Sequence, residues 1–268
     1  MCVYIISWIS DIHLCMKNTG PLLDSVSFEI KYDSGHLYFD RCGQCMLDIE
    51  RECPGWIATL VSVQTGRLEN ATKSLYANFS HERFNFTAEK ASRLGMKEIA
   101  KEIFSLWTAI QANLGLDEFI RIGFRPHYLL ATESLDEAEK RLNRSKISLM
   151  IPESLQKEGY IIKNRHLIVV LDKDATEYRV ELSAVIRYEG LPPPDLVKTD
   201  PRLLSQRQKD FRLARLKQMA EYSANPMFAV NLNVDCAKFN PEILSVEEFI
   251  LKQNEVVERN FLPFLGGL

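Results

Sequence analysis

Two stretches of this chain alternate apolar and polar side chains with a strict period of two. In Val26–Tyr32 (VSFEIKY), Val26, Phe28, Ile30 and Tyr32 share one face, and Ser27, Glu29 and Lys31 share the other. In Phe228–Asp235 (FAVNLNVD), Phe228, Val230, Leu232 and Val234 oppose Asn231, Asn233 and Asp235. Successive side chains of a strand point to opposite sides, so each stretch reads as a half-buried strand with one dry and one wet face. All-parallel sheets are covered on both faces, whereas antiparallel sheets tolerate water on one, so the expectation is antiparallel.

Two helical segments supply the complement. In Lys97–Leu114, Ile99, Ile103, Leu106, Trp107, Ile110 and Leu114 form a single stripe, and Gly115 is a natural stop. Val246–Phe261 carries a similar stripe of Val246, Phe249, Ile250, Val256, Val257 and Phe261, opened by a Ser245/Glu248 capping box. A helix with one apolar stripe must bury it, and a sheet with one dry face is the natural partner.

The remaining elements fit the same plan. Trp56–Gln64, Leu75–Thr87, Phe119–Leu130, Ile147–Ile151, Tyr160–Ile162, Leu167–Asp172 and Tyr178–Tyr188 read as strands. Segments 36–40 and 46–50 read as strands of a hairpin turning at Cys42-Gly-Gln-Cys45. A short helix, Leu135–Asn143, is capped by Ser134 and Glu137, and Arg202–Tyr222 reads as a further helix. The predicted fold class is therefore α+β: antiparallel sheets packed against two long amphipathic helices.

Leu75–Leu114 and Met227–Phe264 share an order of strands and then helix, so a tandem duplication of a strands-then-helix unit is expected. The expected organisation is an N-terminal extension or strand at 1–17, a first half at 18–144 and a second half at 145–268, the halves sharing one core. At 268 residues the chain is long enough to build that core without disulfides or a metal.

Composition narrows the function classes. The chain is 46% hydrophobic and 26% charged, unlike disordered or fibrous sequences. With 33 basic and 36 acidic residues the net charge is -3, so no global field draws it to nucleic acid or anionic lipid. Six irregularly spaced cysteines read as reduced thiols of a cytoplasmic protein. The apolar N-terminus lacks a basic flank and is interrupted by Asp11 and His13, so it reads as neither signal nor membrane span.

Three motifs resemble those of a sporadically distributed bacterial family of similar length whose function is uncharacterised. Asn18–Tyr32 (NTGPLLDSVSFEIKY) is similar to its N-A-P-L-V-E-x-V-F-E-I-R-F opening. Phe119–Arg125 (FIRIGFR) resembles its central R-I-G-x-R strand. Phe228–Asp235 with the closing helix resembles its terminal L-D-I-D strand and helix. Thr19-Gly20, Asn233 and Pro126-His127 depart from the pattern, and residues 1–17 lie upstream of it. The resemblance implies the same architecture in a bacterial protein and brings no catalytic residues.

Candidate chemistry is sparse. Trp8–Leu14 (WISDIHL) holds the D-x-H of metal-dependent phosphoesterases, but the later ligand segments of that chemistry are missing. Cys42 and Cys45 are weak metal candidates, since zinc needs four ligands and no second pair accompanies them. Arg121, Arg125 and His127 fall on one strand face with a gap at Gly123. They suit an anion or a partner's carboxylate, or else salt bridges to neighbouring strands. Arg202–Lys217 is basic, with Arg207, Arg212 and Arg215 as candidates for an acidic partner, against the plain alternative of a solvated helix face. No phosphate loop, nucleophile elbow or H-E-x-x-H helix occurs.

The expectation is a non-enzymatic cytoplasmic binding or assembly module. It would take a protein partner or a second copy of itself, with no catalytic residues, no cofactor and no membrane association. The alternative is a nucleic-acid or nucleotide binding protein or enzyme that uses helix 202–217 and the Arg121/Arg125 strand.

Overall fold

A computed structural model describes residues 20–33, 35–144, 166–188, 204–221, 226–242 and 245–266, with Ser154, Lys157, Glu158, Asp200 and Arg202 as isolated positions. The expected elements at 1–17, 147–151 and 160–162, including the D-x-H of Asp11 and His13, lie outside the described residues.

The strands are β1 (Leu22–Tyr32), β2 (Ile57–Val61), β3 (Gly66–Asn70), β4 (Leu75–Phe79), β5 (Arg83–Glu89), β6 (Phe119–Thr132), β7 (His166–Lys173), β8 (Thr176–Tyr188) and β9 (Pro226–Phe239). The helices are α1 (Tyr38–Glu52), α2 (Met96–Leu114), α3 (Leu135–Arg144), α4 (Gln206–Glu221) and α5 (Val246–Val256). A π-helical turn at Val257–Phe261 and a short helix at Pro263–Gly266 continue α5. The described strands form one antiparallel sheet in the order β2-β3-β4-β5-β1-β6-β9-β8-β7.

That order mirrors itself about the β1–β6 pair. Moving outward, β5 matches β9, β4 matches β8 and β3 matches β7, while β2 is extra at one edge. In the chain, β1-α1-β3-β4-β5-α2 and β6-α3-β7-β8-β9-α5 show one order of elements, the second run beginning with β6 at Phe119 and so before the expected boundary at 144/145. Helix α4 interrupts the repeat: it is inserted between β8 and β9, where the first copy has only the Ser80–Glu82 turn between β4 and β5.

Alternation places the core. Val26, Phe28, Ile30 and Tyr32 are buried, as are Val230, Leu232, Val234 and Cys236 on β9. The stripe of α2 packs on this face with Phe84, Phe86 and Trp56, and one continuous cluster runs from Leu68 on β3 to Leu182 on β8. Helix α2 ends at Gly115, whose φ of 62° is left-handed and suits glycine. Two buried aromatic tips keep partners: the Tyr32 hydroxyl donates to the Ser80 carbonyl at 2.6 Å, and Trp56 Nε1 donates to Glu102 at 2.8 Å.

Three expectations change. Residues 36–50 are no hairpin: Tyr38, Cys42, Cys45, Met46 and Ile49 are the buried stripe of α1, at i, i+4, i+7, i+8 and i+11. The Ser134/Glu137 cap forms, with Glu137 N–H donating to Ser134 Oγ at 3.2 Å, but Ser245 makes no side-chain cap bond. The terminal helix is not continuous α-helix, since its last turn is π-helical from Val257.

Candidate functional site

Helices α1, α2, α3 and α5 pack on the dry face, and among the described residues only α4 packs on the other, open face. Register fixes which polar residues meet there. One cross-strand line runs Arg67, Asn78, Asn85, Glu29, Gly123 through β3, β4, β5, β1 and β6. The next runs Ile57, Glu69, Tyr76, Thr87, Ser27, Arg125 through β2 to β6.

At the centre lies an ion-pair ladder. Arg121 donates to Glu29 Oε1 at 2.8 Å and to both Asp235 oxygens at 2.9 and 3.1 Å. Arg125 donates to Asp235 Oδ2 at 2.7 Å. Two arginines and two carboxylates thus compensate one another across β1, β6 and β9, with Arg83 3.9 Å from the second Glu29 oxygen. Gly123 makes the ladder geometrically feasible. A Cβ there would stand 2.9 Å from the Arg121 guanidinium carbon and closer still to one of its nitrogens, so the guanidinium lies over the space that a side chain would fill.

Around the ladder the sheet forms a groove of about 370 Å³, lined by Ser27, Glu29, Asn78, Asn85, Thr87, Arg121, Gly123, Arg125 and Asp235. A second groove of about 370 Å³, lined by Gln64, Thr65, Arg67, Ser80, His81, Glu82 and Arg83, shares Asn78 and Asn85 with the first. The groove over the ladder is the trough, and the second groove adjoins it at the Asn78/Asn85 pair. His127 sits beyond the ladder, opposite Asn233. Burial, reinforced by the neighbouring Arg125 and Arg187 charges, lowers its pKa to about 4, so the ring is neutral at pH 7.

Helix α4 closes one end of the open face. Phe211 packs on Ile57 and Ala71. Arg207 donates to the Glu50 and Trp56 carbonyls at 2.9 and 2.5 Å. Arg215 is buried, bonds the Tyr76 hydroxyl and lies over the Tyr76 ring at 5.1 Å, with its charge acting on Glu69. Glu69's pKa is nevertheless raised, because burial outweighs that charge.

The sequence candidates therefore divide. Arg121, Arg125 and His127 share the open face as expected, with the arginines in salt bridges to β1 and β9. Arg207 and Arg215 of the basic helix fasten α4 to the first half, and Arg212 is half-buried with a partner of its own. Arg207 and Arg215 bond to Glu50, Trp56 and Tyr76, whereas Arg121 and Arg125 pair with Glu29 and Asp235. Cys42 and Cys45 lie on the buried side of α1, where burial raises both thiols. Among the described residues no cluster of three or more His, Cys, Asp or Glu is placed to hold a metal ion, and no helix is long and apolar enough to cross a membrane.

Glu29, Asn78, Asn85 and Asp235 were not singled out from the sequence. Their signal is membership of the wet faces of alternating strands, which becomes a site only once strand order is known. A scan against protein-family models and a search of curated proteins both found no match for this chain.

Proposed function

We propose that this chain is a non-enzymatic binding module that takes a protein partner, as an extended polar segment, in the trough of the open face. The observation that supports this is the ladder: Arg121 and Arg125 are satisfied by Glu29 and Asp235. A phosphate backbone would have to displace two carboxylates to use them, and would face those carboxylates afterwards. A polypeptide needs no such exchange. Asn78 and Asn85 each offer amide donors and an acceptor of the kind that pairs with peptide groups, and Ser27 and Thr87 add hydroxyls. The free, buried thiols of Cys42, Cys45, Cys53 and Cys236 fit a reducing compartment, and we place the protein in the cytoplasm of a bacterium.

The test is selection of a phage-displayed random peptide library on the full chain, followed by titration of the enriched peptides. Asn78→Arg and Asn85→Arg place a cation and extra bulk in the trough. Each variant should weaken binding at least about tenfold, or about 1.4 kcal/mol. Failure to enrich any peptide, or enrichment indifferent to both substitutions, overturns the reading. So does tight duplex binding that falls steeply with salt and is lost on changing Arg121 and Arg125.

A further inference from the structure

The two edges of the sheet are finished differently. At one edge, β2 is short, carries a register shift between Ala58 and Leu60, and has its first residue under Phe211 of α4. Bulges and helical cover are the usual means of blunting an edge. At the other edge, β7 runs His166–Lys173 in unbroken register with β8, and nothing among the described residues pairs with its outer side. Its sequence is apolar on both faces. Leu167 is buried, but Ile168, Val169, Val170 and Leu171 are 42%, 41%, 55% and 43% exposed. Val169 and Leu171 share the side of Leu167, and Ile168 and Val170 share the side of His166.

We propose that β7 is a homodimer interface, in which two copies pair their β7 strands antiparallel about a two-fold axis through Val169 and normal to the sheet. An isologous contact requires a patch complementary to itself, and β7 meets that requirement. With the axis at Val169, Val169 faces its own copy, Ile168 faces Val170 and Leu167 faces Leu171. Every apolar side chain meets an apolar one on the same side of the sheet. The ends match in charge: His166 faces Asp172 of the second copy, adding a carboxylate to the Glu181 already 2.6 Å from the His166 ring. Moving the axis to Val170 sets Ile168 against Asp172 and Leu167 against Lys173. Moving it to Ile168 sets His166 against Val170. Only the Val169 register matches apolar to apolar and acid to base, and register is strongly specified where a slip mismatches side chains. The occupant is therefore a second copy of this chain. The contact lies at the end of the sheet away from β2–β5 and is independent of the trough reading.

The test is sedimentation velocity of the full chain across the micromolar range, with Val169→Arg as the disrupting variant. Like charges directly opposite on paired strands repel, and the axis forces the two introduced guanidinium groups together. Wild type should sediment as a dimer, and the variant's dissociation constant should rise at least about tenfold with its circular dichroism unchanged. A second readout is disulfide capture. Val169→Cys should cross-link to itself, mapped by mass spectrometry, much faster than Val63→Cys, an exposed control outside the strand. A folded wild type that stays monomeric, a dimer untouched by Val169→Arg, or cross-linking no faster at 169 than at 63 would each overturn the proposal.

Discussion

Replacing Gly123 with alanine should destabilise the protein, although strand propensity favours the change. Glycine inside a strand costs about 0.5–1 kcal/mol relative to alanine, so the substitution taken alone is a gain. The new methyl, however, would stand 2.9 Å from the Arg121 guanidinium carbon, tighter than such contacts occur, so the guanidinium, the far end of a flexible side chain, must shift. A shift strains its bonds to Glu29 and Asp235, at 2.8 to 3.1 Å, and breaks at least one. Hydrogen bonds to charged groups are worth about 1.5–3 kcal/mol each, and water recovers part of that loss for the displaced group. Losing one such bond against the gain in strand propensity leaves a net destabilisation of about 0.5–2.5 kcal/mol. For a chain of this size each kcal/mol lowers the melting temperature by roughly 2–4 °C. The decisive measurement is a double-mutant cycle by urea unfolding. In an Arg121→Ala background nothing occupies the space over residue 123, so Gly123→Ala should there stabilise by about 0.5–1 kcal/mol. The effect of one methyl group changes sign with the presence of one guanidinium. Equal effects in both backgrounds would refute the account of why glycine stands at 123.

Three further outcomes are expected. His127 is held neutral, with its pKa lowered to about 4 in the folded state against about 6.5 unfolded; its contribution is therefore full above pH 6.5 and lost as pH falls toward 4. His127→Gln should flatten stability across that window, by at most about 1.4 kcal/mol per pH unit, read from denaturant unfolding at stepped pH. Cys42, Cys45 and Cys236 have thiols raised by burial, so site-resolved alkylation of native protein should leave them unmodified until denaturant is added, and prompt labelling would contradict their placement. Arg215→Leu removes the cation beside Tyr76 and buried Glu69, and should cost about 3 kcal/mol. Amide exchange should quicken across 206–221 and leave β1 and β6 protected, whereas uniform quickening would show that α4 is not separately fastened.

The strand cores at 26–32 and 228–235 were legible because a sheet with one wet face imprints a period of two on sequence, and α2 because its stripe is unbroken. Helix α1 was not, for a local reason. Its buried positions are Tyr38, Cys42, Cys45, Met46 and Ile49, its exposed face includes Gly43, and Cys-x-x-Cys suggests a turn. Strand-like propensity at Tyr38–Phe39 is overridden by burial of a helical stripe that only the tertiary structure defines. The ladder was half legible. Arg121 and Arg125 announced a shared face two positions either side of a glycine, but Glu29 and Asp235 are 92 and 114 residues from Arg121 in sequence, and only the order β1-β6-β9 brings them together. Arg215 was misleading because a basic run looks the same whether its charges meet solvent or the other half of the molecule.

Helix α4 gives the open face a direction that the mirrored strand order alone would not. Without it, β3-β4-β5-β1 and β6-β9-β8-β7 would differ at their ends only by the extra strand β2. The insertion between β8 and β9 crosses to the β2–β4 end and buries Arg215 on Tyr76, and among the described residues no equivalent helix covers the matching positions of β7 and β8. Both flanks mix neutral and charged groups: β4 and β5 carry Asn78, Arg83, Asn85, Thr87 and Glu89 on this face, and their topological counterparts β8 and β9 carry Arg179, Glu181, Asn233 and Asp235. The repeated order of strands builds a broad sheet with polar chemistry on both flanks, and α4, together with the extra strand β2, is what tells its two ends apart.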